Sequence, residues 1–131
     1  MIKVLLIESD SANRDIIKVG LSEFQVFEVD HAVDEQAVEM AEDGQYDLVI
    51  ANVELAERQD GLQIIRRIRE ICPAAEIIAL ARGKSSRLLA KEKTASSLSA
   101  TIPIPIDAAD FYKTIARVKQ RIESTRSRRS E

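Results

Sequence analysis

Three places in the chain gather side chains that could do chemistry. The first is Glu8-Ser9-Asp10-Ser11-Ala12-Asn13, two carboxylates and two hydroxyls directly after an apolar run. The second is Asn52, which closes the apolar stretch DLVIAN and is followed two residues on by Glu54; the third is Asp60-Gly61. Ser side chains at a turn into a helix are the material of a phosphate site, but such a cradle uses Gly, absent here, and the two acids repel phosphate. No Ser-His-Asp order and no metal-ligand spacing is visible: the only histidine, His31, reads as a surface or packing residue. Cys72 is the only cysteine, so it forms no internal disulfide and fits a reducing compartment.

These residues sit at the ends of elements that recur five times. Short apolar runs at Ile2 to Ile7, Val26 to Asp30, Asp47 to Asn52, Glu76 to Ala81 and Ala100 to Ile104 alternate with segments of helical period. That order indicates an α/β domain with a parallel sheet. IKVLLI, DLVIAN and EIIALA are almost continuously apolar, as strands covered on both faces by helices must be. Caps open the helices: Asp10 or Ser11, Asp34, Asp60, Ser85 and Asp107. Phe111, Ile115, Val118 and Ile122 make one apolar stripe on the last helix, and Leu62, Ile65, Ile68 and Ile71 one on the third. The fourth, within Lys84 to Ser99, has only Leu88, Leu89 and Leu98 as large apolar anchors and is expected to be short or easily rearranged.

At 131 residues, with 45% hydrophobic and 31% charged residues, the chain has the make-up of one soluble domain. The run Ile2 to Ile7 is too short for a signal peptide or a membrane span, so a cytoplasmic location is expected. Net charge is -3, and the last eight residues carry three Arg and one Glu, which leaves the body more acidic still. An acidic body argues against nucleic acid as the partner. The expected layout is a domain over 1–123 and a basic Ser/Arg tail or helix extension over 124–131.

Over Lys3 to Ile122 the chain resembles bacterial response-regulator receiver domains. The resemblance rests on VLLIESDSANR, DLVIAN, DGLQIIRRIRE, EIIALA and IPIPID, in that order. It implies a single (βα)5 flavodoxin-like domain, a five-stranded parallel sheet of order 2-1-3-4-5 with helices on both faces, and a site at the carboxyl ends of the strands. In that family an acid pair and an Asp ending the third strand hold Mg²⁺, and this Asp takes a phosphoryl group. A Lys after the fifth strand neutralises the phosphoryl oxygens, a Thr or Ser ending the fourth strand binds them, and an aromatic residue on the fifth strand signals the change.

This sequence departs at each place. The acid pair is reduced to Glu8 and Ser9, the nucleophile position is Asn52, the hydroxyl position Ala81, the aromatic position Thr101 and the Lys position Ile104. An amide is too poor a nucleophile for phosphoryl transfer and brings no charge to hold Mg²⁺, so no cofactor, no tightly held metal and no enzymatic activity are expected. Ile104 in place of Lys also avoids an unpaired cation in the emptied site. Glu8 is expected to stay hydrated at the rim or to accept backbone N–H groups of the first helix. VELAERQDG is one residue longer than the family's loop; Asp60 is expected to cap the third helix and Gly61 to allow close packing at its start.

The reading is a phosphorylation-independent pseudo-receiver that binds a protein partner in two-component-type signalling, possible homodimerisation included. In related receivers the face of the fourth helix, fifth strand and fifth helix docks partners. Here that face would draw on Arg87, Lys91, Tyr112 and Arg117, with the extension from Arg121 to Arg129. Two alternatives stand beside it: a receiver whose acceptor has moved to Asp10 or Glu54, and a flavodoxin-like domain that binds a small ligand at the same strand ends.

Overall fold

The computed structural model describes residues 1–56, 60–90 and 97–130, apart from the side chains of Leu88, Arg129 and Ser130. Five strands alternate with five helices: β1 (Ile2–Ile7), α1 (Ser11–Ser22), β2 (Phe27–Ala32), α2 (Gln36–Asp43), β3 (Leu48–Asn52), α3 (Gly61–Ile71), β4 (Glu76–Ala81), α4 (Gly83–Ala90), β5 (Ala100–Pro103) and α5 (Ala108–Ser130). The strands form one sheet of order β2-β1-β3-β4-β5, and every pairing is parallel. This is the α/β, flavodoxin-like arrangement with helices on both faces.

Strand alternation divides the core into two layers. Leu5, Ile7, Val49, Ala51, Ile77 and Ala79 face one way, against Ala37, Val38 and Ala41 of α2, Ile64, Ile65 and Ile68 of α3, and Leu89 of α4. Val4, Leu6, Leu48, Ile50, Ile78, Leu80 and Ile102 face the other way, against Ile17 and Leu21 of α1 and the Phe111, Ile115, Val118 and Ile122 stripe of α5. With β1, β3 and β4 thus covered on both sides, their unbroken apolar character follows.

Several boundaries differ from the sequence expectation, each for a local reason. β2 runs to Ala32 because β1 offers partners that far, Leu6 to His31 and Ile7 to Ala32, so His31 lies within the strand and not after it. On α3 the buried positions are Gly61, Ile64, Ile65 and Ile68, while Leu62 and Ile71 pack at the margin. The i, i+3, i+4, i+7 set centres the face on Ile64 and Ile65. Helix α4 begins at Gly83, before Ser85, whose N–H donates to the Arg82 carbonyl at 2.9 Å. Leu89 is buried and Leu98 is packed against the same layer. Asp60 and Asp10 cap α3 and α1 as expected; each accepts two backbone N–H groups, from Leu62 and Gln63 and from Ala12 and Asn13. Helix α5 continues through the basic segment to Ser130.

Candidate functional site

The chain leaves β1 at Ile7, and the next residue, Glu8, turns inward and is fully buried. The cause lies two residues on. Asp10 takes the N-cap of α1, so the first free N–H groups of that helix are already bonded to its carboxylate. Glu8 therefore neither stays hydrated at the rim nor accepts backbone N–H groups of the helix. Instead its Oε1 accepts from Asn13 Nδ2 at 2.6 Å and Asn52 Nδ2 at 3.1 Å, while Oε2 is buried without a partner. Burial pushes the Glu8 carboxyl above its ordinary pKa; the hydrogen bonds from Asn13 and Asn52 oppose that shift, and Asp10 adds to it.

Asn52 ends β3 almost fully buried, and both ends of its amide are engaged. Nδ2 donates to Glu8, and Oδ1 accepts from the Glu54 N–H at 2.8 Å. The loop that follows is tethered to the first turn, since Ser9 Oγ accepts from the Ala56 N–H at 2.9 Å. An isolated antiparallel bridge between Glu54 and Asp60 then returns the chain to α3. The Gly61 N–H donates to the Val53 carbonyl at 3.1 Å, and a Cβ at Gly61 would overlap the Asn52 carbonyl oxygen. Only a residue without a side chain lets α3 start this close to the end of β3.

The structure thus brings Glu8, Ser9 and Asn52 together and adds two residues that sequence reasoning missed. Asn13 supplies the shorter hydrogen bond to Glu8, and Arg14 NH1 donates to the Glu8 carbonyl at 2.9 Å. The signal for Asn13 was its place in the first turn of α1, just past a cap that already occupies the helix N–H groups. The other three positions lie farther along the sheet edge. Ala81 is buried, pairs with Pro103 and accepts the Ile104 N–H at 3.0 Å. Ile104 is half-buried, and Thr101 is exposed opposite Ala79. Among the described residues no group of three or more His, Cys, Asp or Glu side chains is placed to hold a metal ion.

The residues expected on the partner face separate. Arg87 is exposed on α4, Arg117 is exposed on α5, and Lys91 lies outside the described residues. Tyr112 does not belong with them. Its ring stacks on Phe24 at 4.8 Å between centroids and lines a groove with α1. Arg117 is five positions on from Tyr112, which on a helix turns them about 140° apart. Beside Arg117, Arg121 reaches Glu76 at 3.4 Å. No helix among the described residues is long and apolar enough to cross a membrane.

The model of the response regulator receiver domain family matches residues 4–116. No curated protein matches. Among solved structures, the chain is similar to a CheY-like receiver domain protein from Methanospirillum hungatei, with 17% identity, TM-score 0.76 and 98% of each chain covered. It is also similar to a two component transcriptional regulator AraC from Clostridium phytofermentans, with 16% identity, TM-score 0.82, 98% of this chain and 99% of that one. A receiver domain protein from Clostridium thermocellum shares 21% identity at TM-score 0.78, over 95% and 99%.

Proposed function

This chain belongs to the response regulator receiver domain family, and from that premise we propose that it is a pseudo-receiver, a signalling module that works by protein contact without taking up a phosphoryl group. The observation that carries the reading is Asn52. It ends β3, where the family's acceptor carboxylate is expected, and its amide is spent on Glu8 and Glu54. A carboxamide is not a phosphoryl acceptor, and this one is held in place by hydrogen bonds at both ends.

The family's Mg²⁺ does not suit these residues. A hard divalent cation takes about six oxygen ligands. Here one Glu8 oxygen is committed to two amides and the other is enclosed, Asp10 is turned to the α1 backbone, and Asn52 Oδ1 holds the Glu54 N–H. The same facts weigh against a displaced acceptor at Asp10, whose carboxylate is part of the helix start. Ala81, Thr101 and Ile104 bring no cation or buried hydroxyl to stabilise phosphoryl oxygens. Partner contact would use the face of α4, β5 and α5 that carries Arg87 and Arg117, with another copy of the chain as one form that contact could take.

The test is to add Mg²⁺ with beryllofluoride or acetyl phosphate and follow backbone amides by NMR. The expected outcome is no saturable shift at Glu8, Asn52 or Ala81. Saturable shifts there would overturn the reading in favour of an active acceptor or a ligand site.

A further inference from the structure

Between α1 and the first turns of α5 lies a groove of about 380 Å³. Its walls are Ile16, Val19 and Tyr112, which expose 43%, 62% and 49% of their surface, and its floor is the buried Phe111. Gly20 sets the depth. A Cβ there would meet the Phe111 ring at 2.6 Å, so the absence of a side chain is what lets the ring lie against the α1 backbone. Phe24 stacked on Tyr112 holds the far wall rigid. Three large apolar side chains left exposed around one cleft mark a contact surface and not ordinary surface scatter.

The charges around the cleft identify what it fits. Two carboxylates line it, Asp15 and Glu23, and no cation does. Neither makes an ion pair among the described residues; on α5, Arg121 reaches Glu76 and Arg126 reaches Asp47 instead. A second copy would bring the same two carboxylates against the first pair. A complementary occupant presents apolar side chains bracketed by cations. The lining positions run from Asp15 on α1 to its C-cap Glu23, about 12 Å along the helix axis, or roughly two turns. A cleft between two helices of that length takes the ridge of a third, anchored at i, i+4 and i+7.

We propose that the α1–α5 groove docks a cationic amphipathic helix of a partner protein, with large apolar residues seated between Val19 and Tyr112 and Lys or Arg facing Asp15 and Glu23. The proposal rests on the reading of the chain as a protein-contact module and assigns a second surface to it. It is separable from that reading, since the phosphoryl test is followed at Glu8, Asn52 and Ala81 and this one at α1 and α5.

The experiment titrates the full chain, observed by NMR, with a synthetic 18-residue helix that carries Leu at i, i+4, i+7 and i+11 and Lys on its flanks. A control peptide has every Lys replaced by Glu. The cationic peptide is expected to shift the amides of Ile16, Val19, Phe24 and Tyr112 saturably, and the acidic control to bind at least tenfold more weakly. Val19→Asp is exposed enough to leave the fold intact. It removes an apolar wall while adding a carboxylate, so weaker binding of the cationic peptide supports a seated helix. Tighter binding would mean mere charge attraction and would overturn the proposal, as would shifts centred elsewhere or equal binding of both peptides. Concentration-dependent shifts of the same amides without peptide, with a dimer in sedimentation, would name a second copy as occupant and overturn it too.

Discussion

At the carboxyl ends of the strands Glu8 is held by two neutral amides; at the amino ends Asp47 and Glu76 are held by the guanidinium groups of Arg126 and Arg121. The two ends of one sheet handle acids in opposite ways, and burial separates them. Glu8 has no exposed surface, whereas Asp47 and Glu76 keep 29% and 20% of their side-chain surface exposed, next to arginines near half exposure. A buried carboxyl without a cation has its pKa raised by the loss of water. A carboxylate that water still reaches gains little from pairing with a cation. One end is therefore stiff and sensitive to substitution, and the other is tolerant.

The largest effect is expected at Gly61. Gly61→Ala drives a methyl group into the Asn52 carbonyl, which belongs to the backbone and cannot swing aside. Overpacking against main chain of this kind costs on the order of 3 kcal/mol, read as a lower urea midpoint. A loss under about 1 kcal/mol would show that α3 can slide off the end of β3, and the stiffness attributed to that end would fail. Asn52→Asp comes next. It replaces the donor to Glu8 with a second carboxyl, so two acids share a buried site and one must hold a proton. Losing that hydrogen bond is expected to destabilise the chain by about 1–3 kcal/mol at neutral pH, with partial recovery on adding Mg²⁺ that the parent chain does not show.

The pH dependence follows from Glu8 with a definite sign. Its folded pKa is raised, first by burial, so the folded chain holds the proton over a range in which the unfolded chain has released it. Stability contributed by this group is present below the ordinary carboxylate range and falls as pH rises from there to the folded pKa, then levels off. Glu8→Gln keeps an acceptor for Asn13 and Asn52 but cannot ionise, so that part of the decline should vanish from urea midpoints measured across the window. An unchanged slope would mean that Glu8 is ionised throughout and that the contrast between the two ends is not one of charge.

Much of this was legible in the sequence, and the limits have physical causes. The unbroken apolar character of IKVLLI, DLVIAN and EIIALA gave three buried strands, because a two-sided environment leaves no polar positions. Asp10 and Asp60 announced two helix starts through local hydrogen bonding. Asn52 and Glu8 were found because resemblance aligned them. The bond from Asn13 was not found, since it depends on which way Glu8 turns, and that is decided by competition with Asp10 for the same N–H groups. Tyr112 was assigned to the wrong side of α5 because sequence neighbours on a helix are not spatial neighbours, and its partner Phe24 comes from a distant turn. Lys91 lies outside the described residues, so its part in the expected face rests on sequence alone.

The smallest effect is expected at the amino ends, and it sharpens the contrast most. Arg126 NH2 donates to Asp47 Oδ2 at 2.6 Å, and its NH1 reaches the Met1 carbonyl at 3.2 Å, so α5 straps the starts of β1 and β3. The geometry looks strong, but both partners are reached by water and Asp47 Oδ2 also accepts the Lys3 N–H at 2.9 Å. Removing the guanidinium therefore leaves the carboxylate hydrated and still hydrogen-bonded. Arg126→Ala should cost about 0.5 kcal/mol or less in a urea titration, and the difference should shrink further at high salt as the pair is screened. A cost above about 2 kcal/mol, insensitive to salt, would mean that the strap behaves as a buried pair. The two ends would then differ in the identity of the partner and not in the depth of burial.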